Sequence, residues 1–532
     1  MMRQTLADEY PWQKWFYGLW GFSALVLLVR LGATPIYILD EAKNAQCARE
    51  MWYSGNWVVP TFNGELRTDK PPLHYWFMGL SYQLFGVGAW QARLFSAVAG
   101  IGTLWITHFF TRKWVGGGVA FFATLGLALS THFMFEFRLA VPDPYLIFFT
   151  TLGIFSAFSY FSEKKWKWLL LASSALALAT LAKGPVALAL PGLIMLLYVL
   201  LSRQAALLLD GRLLAGVALY LAIAVPWYGL VHAQTGGAFT RGFFIEHNLE
   251  RFSAEMEGHG GIFLLIPLMV FIGMLPAAVH YVKGLFPKTG LWSQPFLRCM
   301  IIGSLAYIIF FSLSSTKLPN YAMPCYPMVA VVAAACWYKA WQLQRLLPVW
   351  GFILLLVVAV SLPVAGFFAL RQQPEVAQTA GFSWGLLVLL AGVLAAWWQA
   401  GKNYKRALAW LAGGYLVFNA YVLWVAYPAV YNHNPVSRAY STVLPAHFRL
   451  MGYKIFNPAF LFQQPKHYLR VHTVQHAWQV QTIMVPQQQD TPTYLLTRKN
   501  LLLEVDTTHW KTVFSQPDLF ELPTTVILRW QP

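Results

Sequence analysis

Residues 34–75 read TPIYILDEAKNAQCAREMWYSGNWVVPTFNGELRTDKPPLHY. They form the first long polar interruption after an apolar run, and they hold Asp40, Glu41, Lys43, Arg49, Glu50, Glu65, Arg67, Asp69 and Lys70. Only 11% of the chain is charged, so this concentration stands out. The spacing predicts an amphipathic helix over Glu41 to Met51, lying along a membrane surface with Trp52, Tyr53 and Trp57 at headgroup level. Pro71 and Pro72 then lead into a second short apolar helix, Leu73 to Phe85, which is too short to span.

The rest of the chain explains why a membrane is invoked. Of its 532 residues 58% are hydrophobic and 17% aromatic. Soluble domains carry about 45–50% apolar and about 25% charged residues, so a soluble fold of this composition would lack the polar residues to cover its surface. Apolar runs of span length, about 20 residues each, occur at 16–33, 89–110, 117–134, 143–161, 167–183, 185–202, 212–232, 260–283, 297–314, 320–339, 348–370, 381–399 and 405–427. The expected fold is therefore α-helical and multi-pass, with about 13 spans. The polar N-terminal segment runs straight into the first span and reads as a retained anchor.

Basic residues set the expected orientation. With the N-terminus in the cytoplasm, Arg112 and Lys113, Lys164 to Lys167, Arg203 and Arg212, Lys283 to Arg298, Lys339 and Arg345, and Lys402 to Arg406 all fall in cytoplasmic loops. The net charge of +17 is then a membrane signature, and no nucleic-acid partner is expected. The opposite loops, 34–88 above all, face outward. The tail from about 431 loses the long apolar runs. It reads as a small extracytoplasmic α/β domain, 431–532, beside a membrane domain, 1–430, with strands expected at Val480 to Met484, Thr493 to Thr497 and Thr525 to Trp530. Four cysteines without a C-x-x-C spacing give no disulfide framework or metal cluster.

The outer loops carry the candidate chemistry. Asp40 lies just past the first span, where a carboxylate can take a proton from a hydroxyl; the competing reading is a helix N-cap. Asp143, between Pro142 and Pro144, has the same two readings. Lys70, Lys183, Arg241, Arg251 and Lys317 are cations on the outer side, against the positive-inside bias. Together they suit a lipid phosphate; singly, each is a side chain snorkelling from a span end. His74, His247 and His259 with Asp69 or Glu246 form a candidate metal set, without H-x-x-x-H spacing. No P-loop, G-x-S-x-G or helical H-E-x-x-H occurs, which argues against ATP-driven transport and common hydrolases. A flippase would place charges at span midplanes; here the ionisable residues gather at span ends.

Several segments resemble the aminoarabinose transferases of lipid A and, more broadly, the polyprenyl-phosphate-dependent, protein-mannosyltransferase-like membrane glycosyltransferases of GT-C type. They are DEA (40–42), WYSGNWVVPTFNG (52–64), DKPPLHYW (69–76), LAKGP (181–185), PWY (226–228), HNLERF (247–252) and KLPNYAMPCYP (317–327). The likeness runs over residues 15–430. It implies an active site in the outer loops of a bacterial inner-membrane enzyme, acting as a monomer on an undecaprenyl-phosphate-linked sugar and a lipid or glycan acceptor. By the same likeness Asp40 and Asp143 are the catalytic acids. Lys70 and Arg251 hold the donor phosphate, with Lys183, Lys317 and Tyr321 in support. Relatives commonly have Glu where this chain has Asp69, so the resemblance leaves a divalent metal on Asp69 and His247 in question. A flippase or a protein O-glycosyltransferase are the alternatives.

Overall fold

The computed structural model describes residues 10–245, 261–464, 471–475, 491–505 and 508–531. Each apolar run contains helix among the described residues. In order these are α1 (Tyr10–Leu28), the loop helices α2 (Leu39–Ser54) and α3 (Leu73–Phe85), then α4 (Ala89–Trp114), α5 (Gly117–Leu129), α6 (Thr131–Glu136), α7 (Asp143–Glu163), α8 (Trp166–Lys183), α9 (Val186–Leu201) and α10 (Arg212–Gln234). They continue with α11 (Leu265–Gly273), α12 (Ala278–Gly284), α13 (Pro295–Leu313), α14 (Tyr326–Gln342), α15 (Val349–Arg371), α16 (Leu387–Ala400) and α17 (Tyr404–Tyr421). Among the described residues seven helices are long and apolar enough to cross a bilayer. Large apolar side chains such as Leu214, Leu221, Val225, Val357 and Val360 are exposed along α10 and α15, as a lipid-facing surface requires.

Two runs are broken. The run 117–134 divides at Ser130, whose hydroxyl accepts from the Phe133 amide and caps α6. The run 260–283 divides into α11 and α12 around Pro276, which has no amide hydrogen to continue a helix. Small residues allow the remaining helices to close up. A Cβ on Gly392 would meet the Gly414 Cα at 2.7 Å, so α16 and α17 touch backbone to backbone.

The surroundings of the first outer loop differ from expectation. α2 is covered by protein and not by headgroups: Glu41, Ala42 and every residue from Asn44 to Met51 are buried. It is clamped between α3 and the tail. Arg49 donates to the backbone carbonyls of Leu461, Phe462 and Gln464 at 3.1–3.3 Å, which ties α2 to the C-terminal domain. Trp57 is no headgroup anchor either. Its ring packs where a Cβ on Gly79 would lie, and its carbonyl accepts from Trp76 Nε1 at 2.8 Å. The hairpin β1 (Thr61–Phe62) and β2 (Glu65–Leu66) is held by Glu50, which accepts from Thr61 Oγ1 and from the amides of Asn63 and Gly64.

The tail folds as a five-stranded mixed sheet. Its strands are β3 (Arg449–Tyr453), β4 (His472–Val474), β5 (Thr493–Arg498), β6 (Trp510–Pro517) and β7 (Thr524–Trp530), in the order β4-β3-β5-β7-β6. β3 is parallel to β4 and β5, while β7 is antiparallel to β5 and β6. Two of the expected strands match β5 and β7; Val480 to Met484 lies outside the described residues. The sheet touches the membrane domain through Asn63, which exchanges two 2.9 Å hydrogen bonds with the Val471 backbone, and through Tyr37 Oη, which accepts from the Leu519 amide at 3.0 Å.

Candidate active site

The site begins with the placement of α2. Glu41, fully buried, accepts from Arg93 Nε and Nη2, both at 2.7 Å, and from the Ala140 amide at 2.8 Å. Of the Asp40–Glu41 pair, Glu41 is thus the structural member. It fixes the first turn of α2 against α4 and the loop before α7. Asp40, one residue earlier, is left exposed at the edge of a cavity of about 170 Å³.

That cavity is lined by Asp40, Asp69, Lys70, Asp143, Lys183 and Tyr321, with Asn320 and Ser314 at its wall. Phe243, Phe310 and Phe311 give it an apolar side. Six segments of the chain meet here. Neither acid is an N-cap. α2 starts at Leu39 with Ile38 as its cap, and α7 starts at Asp143 itself with Pro142 as its cap. Both carboxylates lie in a first helical turn, where the helix dipole favours negative charge.

The buried Asp143 carboxylate receives a hydrogen bond from Lys183 Nζ at 2.5 Å. The same ammonium sits 5.3 Å from the centre of the Tyr321 ring. This pair is short because α8 ends at Lys183, where Gly184 (φ +94°) turns the chain toward the start of α9. Asp69 pairs with Arg67 at 3.1 Å. Burial opposes the Arg67 charge, yet Tyr75 and Asp69 hold its affinity for the proton above the ordinary value. His74 is also buried, and burial together with Arg67 and Lys70 pushes it well below the usual imidazole range, so it is neutral.

Lys317 is on the loop that forms the cavity wall, but its ammonium donates to the Ser314 carbonyl at 2.6 Å and it does not line the cavity. Arg241 is exposed and does not line it either. Arg138, close to Asp143 in sequence, turns away and donates to the carbonyls of Val26, Leu27, Val29 and Arg30, closing the C-terminus of α1. Arg251, His247 and His259 lie outside the described residues. Among the described residues Asp69 is paired with Arg67 and Asp143 with Lys183, and no three His, Cys, Asp or Glu side chains cluster.

One acid escaped the sequence reading. Glu136 ends α6, is 4% exposed, and has its Oε1 buried without a hydrogen-bond partner. Burial, reinforced by Asp143, raises its carboxyl to about 8, with Lys183 and a hydrogen bond to Asn320 acting the other way. It stands behind the cavity wall as a neutral acid at pH 7. The available signal was an acid in an outer loop, FEFRLAVPD, seven residues before Asp143.

The sequence pattern of the dolichyl-phosphate-mannose-protein mannosyltransferase family matches residues 69–229. An uncharacterized protein of Aquifex aeolicus is 30% identical over 351 residues, which cover 64% of this chain and 68% of the relative. This chain belongs to the protein-mannosyltransferase-like family of membrane glycosyltransferases. The stretch matched by the family pattern holds Asp69, Lys70, Asp143 and Lys183, while Asp40 and Tyr321 fall outside it.

An undecaprenyl phosphate-alpha-4-amino-4-deoxy-L-arabinose arabinosyl transferase of Shewanella sediminis is 31% identical over 59% of this chain. The match spans about three fifths of that relative's length, 58%, and 59% of the namesake from Aeromonas salmonicida. The fold is that of ArnT from Cupriavidus metallidurans, a structure bound to undecaprenyl phosphate. It superposes with a TM-score of 0.77 over 97% of this chain and 98% of that one, at 22% identity. A multi-span helical fold of this family, with a C-terminal sheet domain, is therefore common to both chains.

Proposed function

We propose that this family member transfers a sugar from an undecaprenyl-phosphate donor to an envelope acceptor in one displacement. The convergence of Asp40, Asp143, Lys70 and Lys183 on one cavity carries the reading. The donor phosphate sits against Lys70, with Arg251 as a further contact. An acceptor hydroxyl attacks the anomeric carbon, the bond from that carbon to the phosphate oxygen breaks, and the phosphate leaves with the electron pair. Asp40 takes the acceptor's proton. If the acceptor is an ionised phosphate, Asp40 orients it instead.

Negative charge grows on the departing phosphate, so a cation already in place lowers the barrier without reorganisation. Asp143 holds Lys183 charged and fixed, and Tyr321 and the cavity phenylalanines present a surface for the sugar and the first isoprene units. A single displacement inverts the anomeric centre. The cavity faces the periplasm, where no nucleotide sugar is available and a lipid carrier supplies the donor. The chain acts as a monomer in the bacterial inner membrane.

The names of the relatives make 4-amino-4-deoxy-L-arabinose the first sugar to test, and lipid A the first acceptor. The test is transfer by the purified chain in proteoliposomes, with undecaprenyl phosphate-linked aminoarabinose and lipid A, read by mass spectrometry. A sugar increment on lipid A is expected. Turnover that survives Asp40→Asn, or transport of the donor without transfer, would sink the proposal.

A further inference from the structure

A second cavity, of about 390 Å³, lies at the other end of the helices that frame the active site. α13 finishes beside Ser314 at the catalytic cavity, and α14 starts just beyond Tyr321. Each rises about 1.5 Å per residue, so the far ends of these helices lie roughly 25 Å away, at the opposite face of the membrane. The second cavity sits there, between α12, the end of α14 and the start of α15. Val279 and Leu346 give it an apolar floor, Lys283 and Arg345 line its sides, and Phe286 and Trp350 flank it. His280 Nε2 lies 2.9 Å from the Leu346 carbonyl and fixes that wall.

Its charge is uncompensated. From Gly258 to Pro374 the sequence has no Asp or Glu, while it has Lys283, Lys288, Arg298, Lys317, Lys339, Arg345 and Arg371. Neither Lys283 nor Arg345 has an ion pair among the described residues. The aromatic rim is exposed, with Phe286 at 60% and Trp350 at 48%. Aromatic side chains of this kind settle at headgroup level. Cations over an apolar slot at that depth match an amphiphile with an anionic head, and basic pockets between membrane helices hold such lipids.

We infer that this cavity binds one anionic glycerophospholipid of the leaflet opposite the active site, its phosphate between Lys283 and Arg345 and an acyl chain beside Phe286 and Trp350. The inference stands apart from the proposed sugar transfer. The lipid braces the junction where α12, α14 and α15 meet, and α14 leads directly to the Tyr321 loop.

The test uses the purified full chain, stripped of lipid in detergent. Phosphatidylglycerol, phosphatidylcholine and inorganic phosphate are titrated separately, with binding read by native mass spectrometry and by thermal stability. Phosphatidylglycerol is expected to bind and stabilise, and higher salt to weaken it. Lys283→Gln with Arg345→Gln should weaken it by more than tenfold, at about fivefold for each cation removed; Lys288→Gln, outside the cavity, should not. Equal binding of phosphatidylcholine, an equal effect of inorganic phosphate alone, or full binding by the double variant overturns the inference. Should the double variant fail to fold, a diazirine-bearing phosphatidylglycerol on the unmodified chain decides. Crosslinks at residues 279–286 and 345–350 support the site, and crosslinks only elsewhere refute it.

Discussion

Lys183 and Asp143 are 40 residues apart in sequence and 2.5 Å apart in space, with the carboxylate buried. Their pairing joins the end of α8 to the start of α7 at the floor of the cavity. Removing one partner leaves the other charge buried and uncompensated, at a cost of about 3–5 kcal/mol. Lys183→Met should therefore lower stability by about that much, while Asp143→Asn with Lys183→Met together should recover a large part of it. Thermal unfolding of the single and double variants in detergent measures this, and strict additivity would show that the pair is not coupled.

Asp40 should behave differently because it is exposed and, of the two adjacent acids, Glu41 is the one that anchors the first turn of α2. Asp40→Asn is expected to leave thermal stability within about 0.5 kcal/mol and to cut turnover by about 10²–10⁴, with donor binding retained. Equilibrium donor binding and single-turnover transfer, measured side by side, separate the two effects. Glu41→Gln should do the reverse and lower stability first.

Lys70 lines the cavity as the cation proposed to meet the donor phosphate. Lys70→Ala should raise the donor KM by about tenfold or more, as expected for a lost charge-assisted hydrogen bond of about 1.5–3 kcal/mol. Acceptor KM should change little. A normal donor KM in this variant would move the phosphate site elsewhere.

Glu136 supplies a pH dependence. Its carboxyl, raised to about 8 by burial and by Asp143, is neutral at pH 7 and becomes charged above that value. The native state binds this proton more tightly than the unfolded chain does. Its contribution to stability is thus complete below the ordinary glutamate value and is lost as pH rises through about 8. The new negative charge also faces Asp143, Lys183 and, at longer range, Asp40. Donor affinity should fall above pH 8, and Glu136→Gln should flatten that limb while leaving activity at pH 7 close to normal. A limb unchanged in Glu136→Gln would assign it to another group.

Arg49 joins α2 to the tail mechanically. Its guanidinium donates to three carbonyls of residues 461–464 from within α2. Arg49→Met should loosen the tail from the membrane domain, seen as faster proteolysis of the tail and a stability loss of about 2–3 kcal/mol. Turnover should fall as well, since α2 carries Asp40.

The run of helices was legible in the residues alone, because each bilayer crossing needs a long apolar stretch that no soluble pattern imitates. Each such run contains helix among the described residues, and α3 matched its expected limits, Leu73 to Phe85. Asp40, Lys70, Asp143 and Lys183 stood out too, since polar side chains at span ends are few and conspicuous, and the family resemblance added Tyr321; the structure gathers these five at one cavity. Which charges serve the fold emerged from long-range packing. Asp40 and Glu41 are adjacent and chemically alike, yet Arg93 takes Glu41 and leaves Asp40 to the cavity. Arg138 closes a helix end, and α2 is buried because the tail covers the face that composition alone would leave to water. Local sequence sets which residues are polar and where the helices run. Which partner each charge finds depends on contacts between segments tens to hundreds of residues apart, and those exist only once the chain has folded.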